Sequence, residues 1–115
     1  MTVSTFFKDT LFFSPAALTT ATSTDALQVA VQDVAACDNF VFQIKVSSIG
    51  TNVVVRAEGS LDGTNYFNLG SGDTTITANG TTKLNFVGFP VKYVRGTLVS
   101  ISTGTPSVSF VISAL

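Results

Sequence analysis

The chain is expected to fold as an all-β single domain, an antiparallel β-sandwich of jelly-roll type with an N-terminal arm. Apolar residues alternate with polar ones from about residue 26 onward, the period of a half-buried strand. Turn-forming clusters separate these alternating runs at intervals of about ten residues, the spacing of sandwich strands. A helical turn is readable only at Asp33–Cys37, too short to build on.

Taken in order, residues 1–24 stand apart as an arm or first strand, and residues 25–115 form the sandwich. Four of the ten Phe fall in the first thirteen positions, as Phe6-Phe7 and Phe12-Phe13. Paired aromatics make both faces of a strand apolar. That suits either an ordinary first strand of the sandwich or an arm that docks on another subunit. The segment then runs through Pro15 into Thr19-Thr20-Ala21-Thr22-Ser23-Thr24.

Next, Leu27, Val29 and Val31 share one face of a short strand. Phe40, Phe42, Ile44 and Val46 alternate with Val41, Gln43 and Lys45, and Val53, Val55 and Ala57 with Val54, Arg56 and Glu58. Thr82, Leu84 and Phe86 alternate with Lys83 and Asn85. Val94 and Leu98 oppose Tyr93, Arg95 and Thr97, and Val108, Phe110 and Ile112 oppose Ser107, Ser109 and Val111. β-Branched and aromatic residues dominate these runs, as strands prefer. Turns are expected at residues 48–52, 61–65, 70–73, 78–81 and 102–106. Asn79-Gly80 is the strongest, since both residues tolerate the positive φ of a tight type I′ hairpin.

Composition narrows the function. At 115 residues one domain with a genuine core is expected. Charged residues make up 11%, against about 25% in typical globular proteins, and Ser and Thr take their place on the surface. A net charge of −1 gives little self-repulsion, so a homo-oligomer is expected, with a trimer among the candidates. Six scattered basic residues and a pI of about 4.9 leave no footprint for nucleic acid. No apolar run is long enough for a membrane helix, and Lys8-Asp9 interrupts what would be the core of a signal peptide. Synthesis and folding in a reducing cytoplasm are expected.

No enzyme, cofactor or metal site is expected. With no His and a single Cys, Ser-His and Cys-His nucleophile systems are impossible within one chain. The acids Asp9, Asp25, Asp33, Asp38, Glu58, Asp62 and Asp73 fall mostly in turns, where Asp serves backbone hydrogen bonding. Asp62, Asn65 and Asp73 offer oxygen ligands for calcium, but their spacing matches no defined loop and a hairpin turn accounts for them. The sequon Asn79-Gly80-Thr81 is explained by its turn. Cys37 reads as a small buried hydrophobe.

Two sets of residues remain as candidates for partner binding. One is the aromatic arm, Phe6, Phe7, Phe12 and Phe13. The other is Lys45, Arg56, Glu58 and Arg95, on the outward side of three strands with Tyr93 beside them. This second set is expected to form one cross-strand ladder. Such a ladder serves mutual solvation and strand register, or orients a protein partner.

The string Val53–Leu69, VVVRAEGSLDGTNYFNL, resembles a hairpin recurring in small structural proteins of tailed bacteriophages. There a strand ends in a Glu-x-Ser-x-Asp-Gly-Thr-Asn-aromatic turn, followed by a Gly/Thr-rich stretch and a Lys-Tyr-Val-Arg strand. Both later elements occur here, at residues 72–77 and 92–95. The likeness spans roughly residues 39–112 and carries no functional residues with it. It implies a virion component: a capsid decoration or stabilising protein, or a piece of tail or fibre. Its partners would be its own subunits and the major capsid or other virion proteins, with the Phe-rich arm as anchor. Discoidin-like carbohydrate-binding sandwiches use a similar Ser-x-Asp-Gly-x-x-aromatic turn. A sugar-binding module of a receptor-binding or tail-fibre apparatus is therefore the second reading, with Tyr66, Phe67 and Phe89 as the available aromatics.

Overall fold

The computed structural model describes residues 11–30 and 38–114. Phe6, Phe7, Val31 and the Asp33–Cys37 turn, including Cys37, lie outside the described residues. The strands are β1 (Leu11–Phe13), β2 (Leu27–Gln28), β3 (Asn39–Ile49), β4 (Val53–Ser60), β5 (Tyr66–Asn68), β6 (Thr74–Ile76), β7 (Gly80–Val87), β8 (Tyr93–Ile101) and β9 (Gly104–Ala114). No helix occurs among the described residues.

Two antiparallel sheets stack face to face. Sheet A has the order β1-β9-β3-β7, and sheet B the order β2-β8-β4-β5, with β6 also on β4. Apart from β5 and β6, successive strands lie in opposite sheets, so nearly every connection crosses the sandwich. This is the jelly-roll order of two Greek keys, and the all-β sandwich expected from the alternation is the fold observed.

The period-two pattern builds the core directly. Phe40, Phe42, Ile44 and Val46 of β3 are buried, as are Val108, Phe110 and Ile112 of β9. They face Val53, Val55 and Ala57 of β4 and Val94 and Leu98 of β8 across the interior. Burying a side chain of this kind contributes roughly 1.5–3 kcal/mol. Gly96 of β8 leaves room for this packing, since a Cβ there would run into the ring of Phe110.

The N-terminal segment closes one side. β1 pairs with the end of β9, Phe12 opposite Ser113 and Phe13 opposite Ile112. Leu18 then exchanges two backbone hydrogen bonds with Val108 (2.8 and 2.9 Å). The chain crosses to sheet B, where Leu98 N–H donates to Thr22 O and Thr24 N–H to Gly96 O, both at 2.8 Å. Residues 11–24 thus belong to this chain's own sandwich, stitched along both sheets before β2 begins.

At the corner where β3 leads to β4 and β8 to β9, two turns interlock. A bulge at Ser48, whose φ is 56°, redirects β3. Thr51 N–H donates to Thr103 Oγ1 (2.9 Å) and Ser102 N–H to Asn52 O (3.0 Å). Gly50 is needed here because a Cβ would overlap the Thr103 backbone.

Asn79-Gly80 does not form the expected hairpin. β6 pairs with β4 in sheet B while β7 pairs with β3 in sheet A, so this turn crosses between sheets. Gly80 takes a positive φ of 135°, but Asn79 does not. The Asn79 carboxamide instead accepts from Ile49 N–H at 2.9 Å, tying the turn to the end of β3.

Candidate functional site

Each sheet presents one outer face, and the two differ in chemistry. Parity assigns the residues: on β4, Arg56, Glu58 and Ser60 point out from sheet B, and on β8, Tyr93, Arg95 and Thr97 do so. The register sets Glu58 opposite both Arg95 and Asn68, and Ser60 opposite both Tyr93 and Tyr66.

The polar network on sheet B centres on Glu58, which is buried although it lies on the outer face. Arg95 Nε donates to Glu58 Oε1 at 2.7 Å, and Arg56 Nη1 to Glu58 Oε2 at 3.2 Å. Arg56 also forms a two-point contact with Asp73, Nε to Oδ1 at 2.7 Å and Nη2 to Oδ2 at 3.1 Å. Such paired donation is what the planar guanidinium suits. These hydrogen bonds raise the Arg56 pKa above its usual value, first through Asp73 and then Glu58. The same contact holds the Asp73 carboxyl below the ordinary carboxylate range.

The network has a mechanical reason. β5 and β6 lie end to end along one edge of β4, interrupted between Leu69 and Asp73. Asp73 sits in that interruption, and Arg56 ties it back to the sheet. Asn68 reinforces the tie, donating to Asp73 Oδ1 (3.1 Å) and accepting from Gly70 N–H (2.9 Å). Arg95 further covers Tyr66, its guanidinium carbon 3.7 Å from the ring centre. Burial raises the Tyr66 phenol above its ordinary pKa, with Arg95 acting in the opposite direction.

The adjoining Leu61–Asn65 turn is self-contained. Thr64 and Asn65 N–H both donate to Asp62 Oδ1 at 2.8 Å, and the Asn65 and Ser60 side chains add two more bonds. Together they depress the Asp62 pKa far below the usual carboxylate value. Both carboxylate oxygens are engaged in holding the turn. Gly63, at a φ of 78°, lies against the Tyr93 ring.

Lys45 does not join this ladder. It lies on β3, opposite Thr81 of β7 and Ser109 of β9, and so projects from the outer face of sheet A. The expectation of a single ladder assumed that outward-facing strands share a face. Crossing connections send β3 and β4 to different sheets, so side chains that face away from the core on the two strands point in opposite directions.

Sheet A presents a mostly polar outer face, with Gln43, Lys45, Lys83 and Ser109 on it, broken by a few exposed apolar side chains. The register aligns Phe12, Ser113, Val41 and Asn85 in one row across β1, β9, β3 and β7. Phe12 is 73% exposed and Val87, one row away, 75%. Val41 is also exposed, and a shallow depression of about 410 Å³ runs between Asn39–Val41, Asn85–Val87 and Ser113. The Phe12-Phe13 pair therefore divides: Phe13 packs against the core while Phe12 stands in solvent. The sequence signal missed Val87, because nothing local distinguishes an exposed strand-end valine from a buried one.

A smaller cleft of about 200 Å³ lies between the two sheets, lined by Arg56, Asn68, Gly70, Thr74, Leu84 and Phe86 among others. The Asn68 carboxamide and the Arg56 guanidinium make hydrogen bonds within the network. Of the aromatics considered for sugar stacking, Tyr66 is covered by Arg95, and Phe89 meets Phe86 edge to face at 5.9 Å. Phe67 is exposed.

No protein-family model and no curated protein sequence matches the chain. Among solved structures, it is similar to the SPBc2 prophage-derived protein YomS, with a TM-score of 0.58 and 14% identity, covering 91% of this chain and 93% of that one. A likeness at this identity establishes a shared fold. A structure of Bacillus endospore appendages, described as disulfide-linked pili, aligns with a TM-score of 0.39 and 10% identity, covering 93% of this chain and 86% of that one. That similarity is too low to carry a conclusion.

Proposed function

We propose that the chain is a virion structural protein, a capsid decoration or stabilising subunit that works through protein contacts and not through catalysis. The observation carrying this reading is the set of exposed apolar side chains on the outer face of sheet A, Phe12, Val41 and Val87. A solvent-facing aromatic on an already folded strand gains by being covered, whereas it adds nothing to the stability of the free chain. The fold it shares with a prophage-derived protein supports this setting. So does the use of jelly rolls as capsid domains.

Removing residues 1–24 would strip β1 and the Leu18 and Thr24 hydrogen bonds from the sandwich itself, and folding would fail before any binding could be read. Phe12→Ser leaves the core untouched and removes an exposed aromatic at the β1 edge of this face. Co-sedimentation of the purified protein with virus particles should be retained by wild type and lost by Phe12→Ser. Equal binding by both proteins would overturn the assignment of this face. Sugar binding, the second reading, predicts specific signals on a glycan array that Phe67→Ala abolishes.

A further inference from the structure

We infer that two copies of this chain associate edge to edge through β7, in antiparallel register, joining their A sheets into one continuous eight-stranded sheet. The inference concerns self-association and stands independently of any virion partner.

The four sheet edges are not equivalent. β1 has three residues and β2 has two. The β5–β6 edge is broken between Leu69 and Asp73 and held by the Arg56–Asp73 ion pair. Short, interrupted or charged edges are the usual protections against strand pairing. β7 has none of them except one lysine. Its eight residues keep an unbroken register against β3, from Val46–Gly80 to Asn39–Val87. Among the described residues no strand pairs with its other side. It contains no proline and a single charge, Lys83. That leaves about 27 Å of edge with backbone donors and acceptors facing outward.

A second copy is the occupant this edge fits. An antiparallel pairing of a strand with itself is closed by a two-fold axis, so one surface satisfies both partners. A chain net charge of −1 offers little resistance to approach. The axis stands perpendicular to the sheet, so outer faces must meet outer faces, and the axis must pass through a residue position. An axis at Lys83 would set Lys83 against its own copy. An axis at Leu84 instead sets Lys83 opposite Asn85 and Thr81 opposite Val87, keeping residues 81–87 paired throughout. This register takes the two Lys83 side chains out of direct opposition while pairing the same length of edge. Pairing also seats Val87 against Thr81 of the second copy, and puts both copies of the Phe12–Val41 row on the same face.

The register makes a test whose sign reverses. Because Asn85 faces Lys83 twice in the pair, Asn85→Lys should raise the dimer dissociation constant several-fold and Asn85→Glu should lower it by a similar factor. Both positions are exposed, so neither change disturbs the monomer. Sedimentation equilibrium of the full chain reads the constants. In a Cys37→Ser background, mixing Lys83→Cys with Asn85→Cys should give an oxidised cross-linked dimer that neither variant gives alone. A wild-type protein that stays monomeric at millimolar concentration overturns the inference. So does a dimer that cross-links through Lys83→Cys alone, or one indifferent to the charge placed at position 85.

Discussion

Glu58 and Arg95 stand directly opposite each other on β4 and β8, joined by a 2.7 Å hydrogen bond between a buried carboxylate and a guanidinium that also covers Tyr66. Three strands meet in that contact, since Tyr66 belongs to β5. Its value lies in keeping a buried charge paired, because an unpaired one is costly.

Glu58→Ala should therefore destabilise the chain by about 1–3 kcal/mol, less than a fully buried pair because both arginines are partly exposed. Glu58→Gln keeps an acceptor and should cost less. Urea denaturation of the two variants gives the comparison, with an unchanged slope showing that the fold is retained.

Acid should loosen the β5–β6 edge first. Asp73 and Asp62 both have depressed pKa values in the folded chain. Their contribution is present above the unfolded carboxylate value of 3.8 and is lost as pH falls toward the folded values. Stability should be flat from neutral pH down to about 5, then fall below about 4. Arg56→Gln should weaken the Asp73 part of that acid dependence, and amide exchange at residues 66–76 should report it.

Gly96→Ala should destabilise by about 1–3 kcal/mol, since the added methyl meets the buried Phe110 ring and not open space. The double change Gly96→Ala with Phe110→Leu should recover part of the loss. Simple additivity of the two single effects would show that the residues do not compete for this space.

Phe12 and Phe13 should behave oppositely. Phe13→Ala removes a side chain packed on the core and should lower the melting temperature, by an amount equivalent to about 1–3 kcal/mol. Phe12→Ala should leave it within the range of a surface change, about 0.5 kcal/mol. Thermal unfolding of the two variants settles the division of the pair.

The architecture was readable wherever burial imposes alternation. Phe40–Val46 and Val108–Ile112 declare their inward faces by pattern alone, because each such strand has one face on the core. What pattern cannot supply is which sheet a strand joins. Lys45 and Arg56 both alternate with the core residues of their own strands and end up on opposite sides of the molecule. Asn79-Gly80 failed for the same reason: its local chemistry fits a hairpin, but β7 finds a better partner in β3 than in the short β6. Asp73 was seen as a turn residue, whereas its bond to Arg56 depends on an edge strand breaking at a particular place. The exposure of Val87 is likewise a property of position in the sheet, invisible in the identity of the residue.

The place of β9 in sheet A bears on how the chain is made. Among the described residues β9 follows the other strands in sequence yet lies between β1 and β3 in space. As the polypeptide leaves the ribosome, β1 has no neighbour in its sheet, and Phe42 and Ile44 lack Ile112 and Phe110 opposite them, until residues 104–114 emerge. Sheet A is therefore completed only once residues 104–114 are made, although β3 and β7 can pair before then, and its pairing is between distant segments, which slows folding. A nascent chain stalled before residue 104 should be protease-sensitive at β1 and along the β9-facing edge of β3, and one extended beyond residue 114 resistant there.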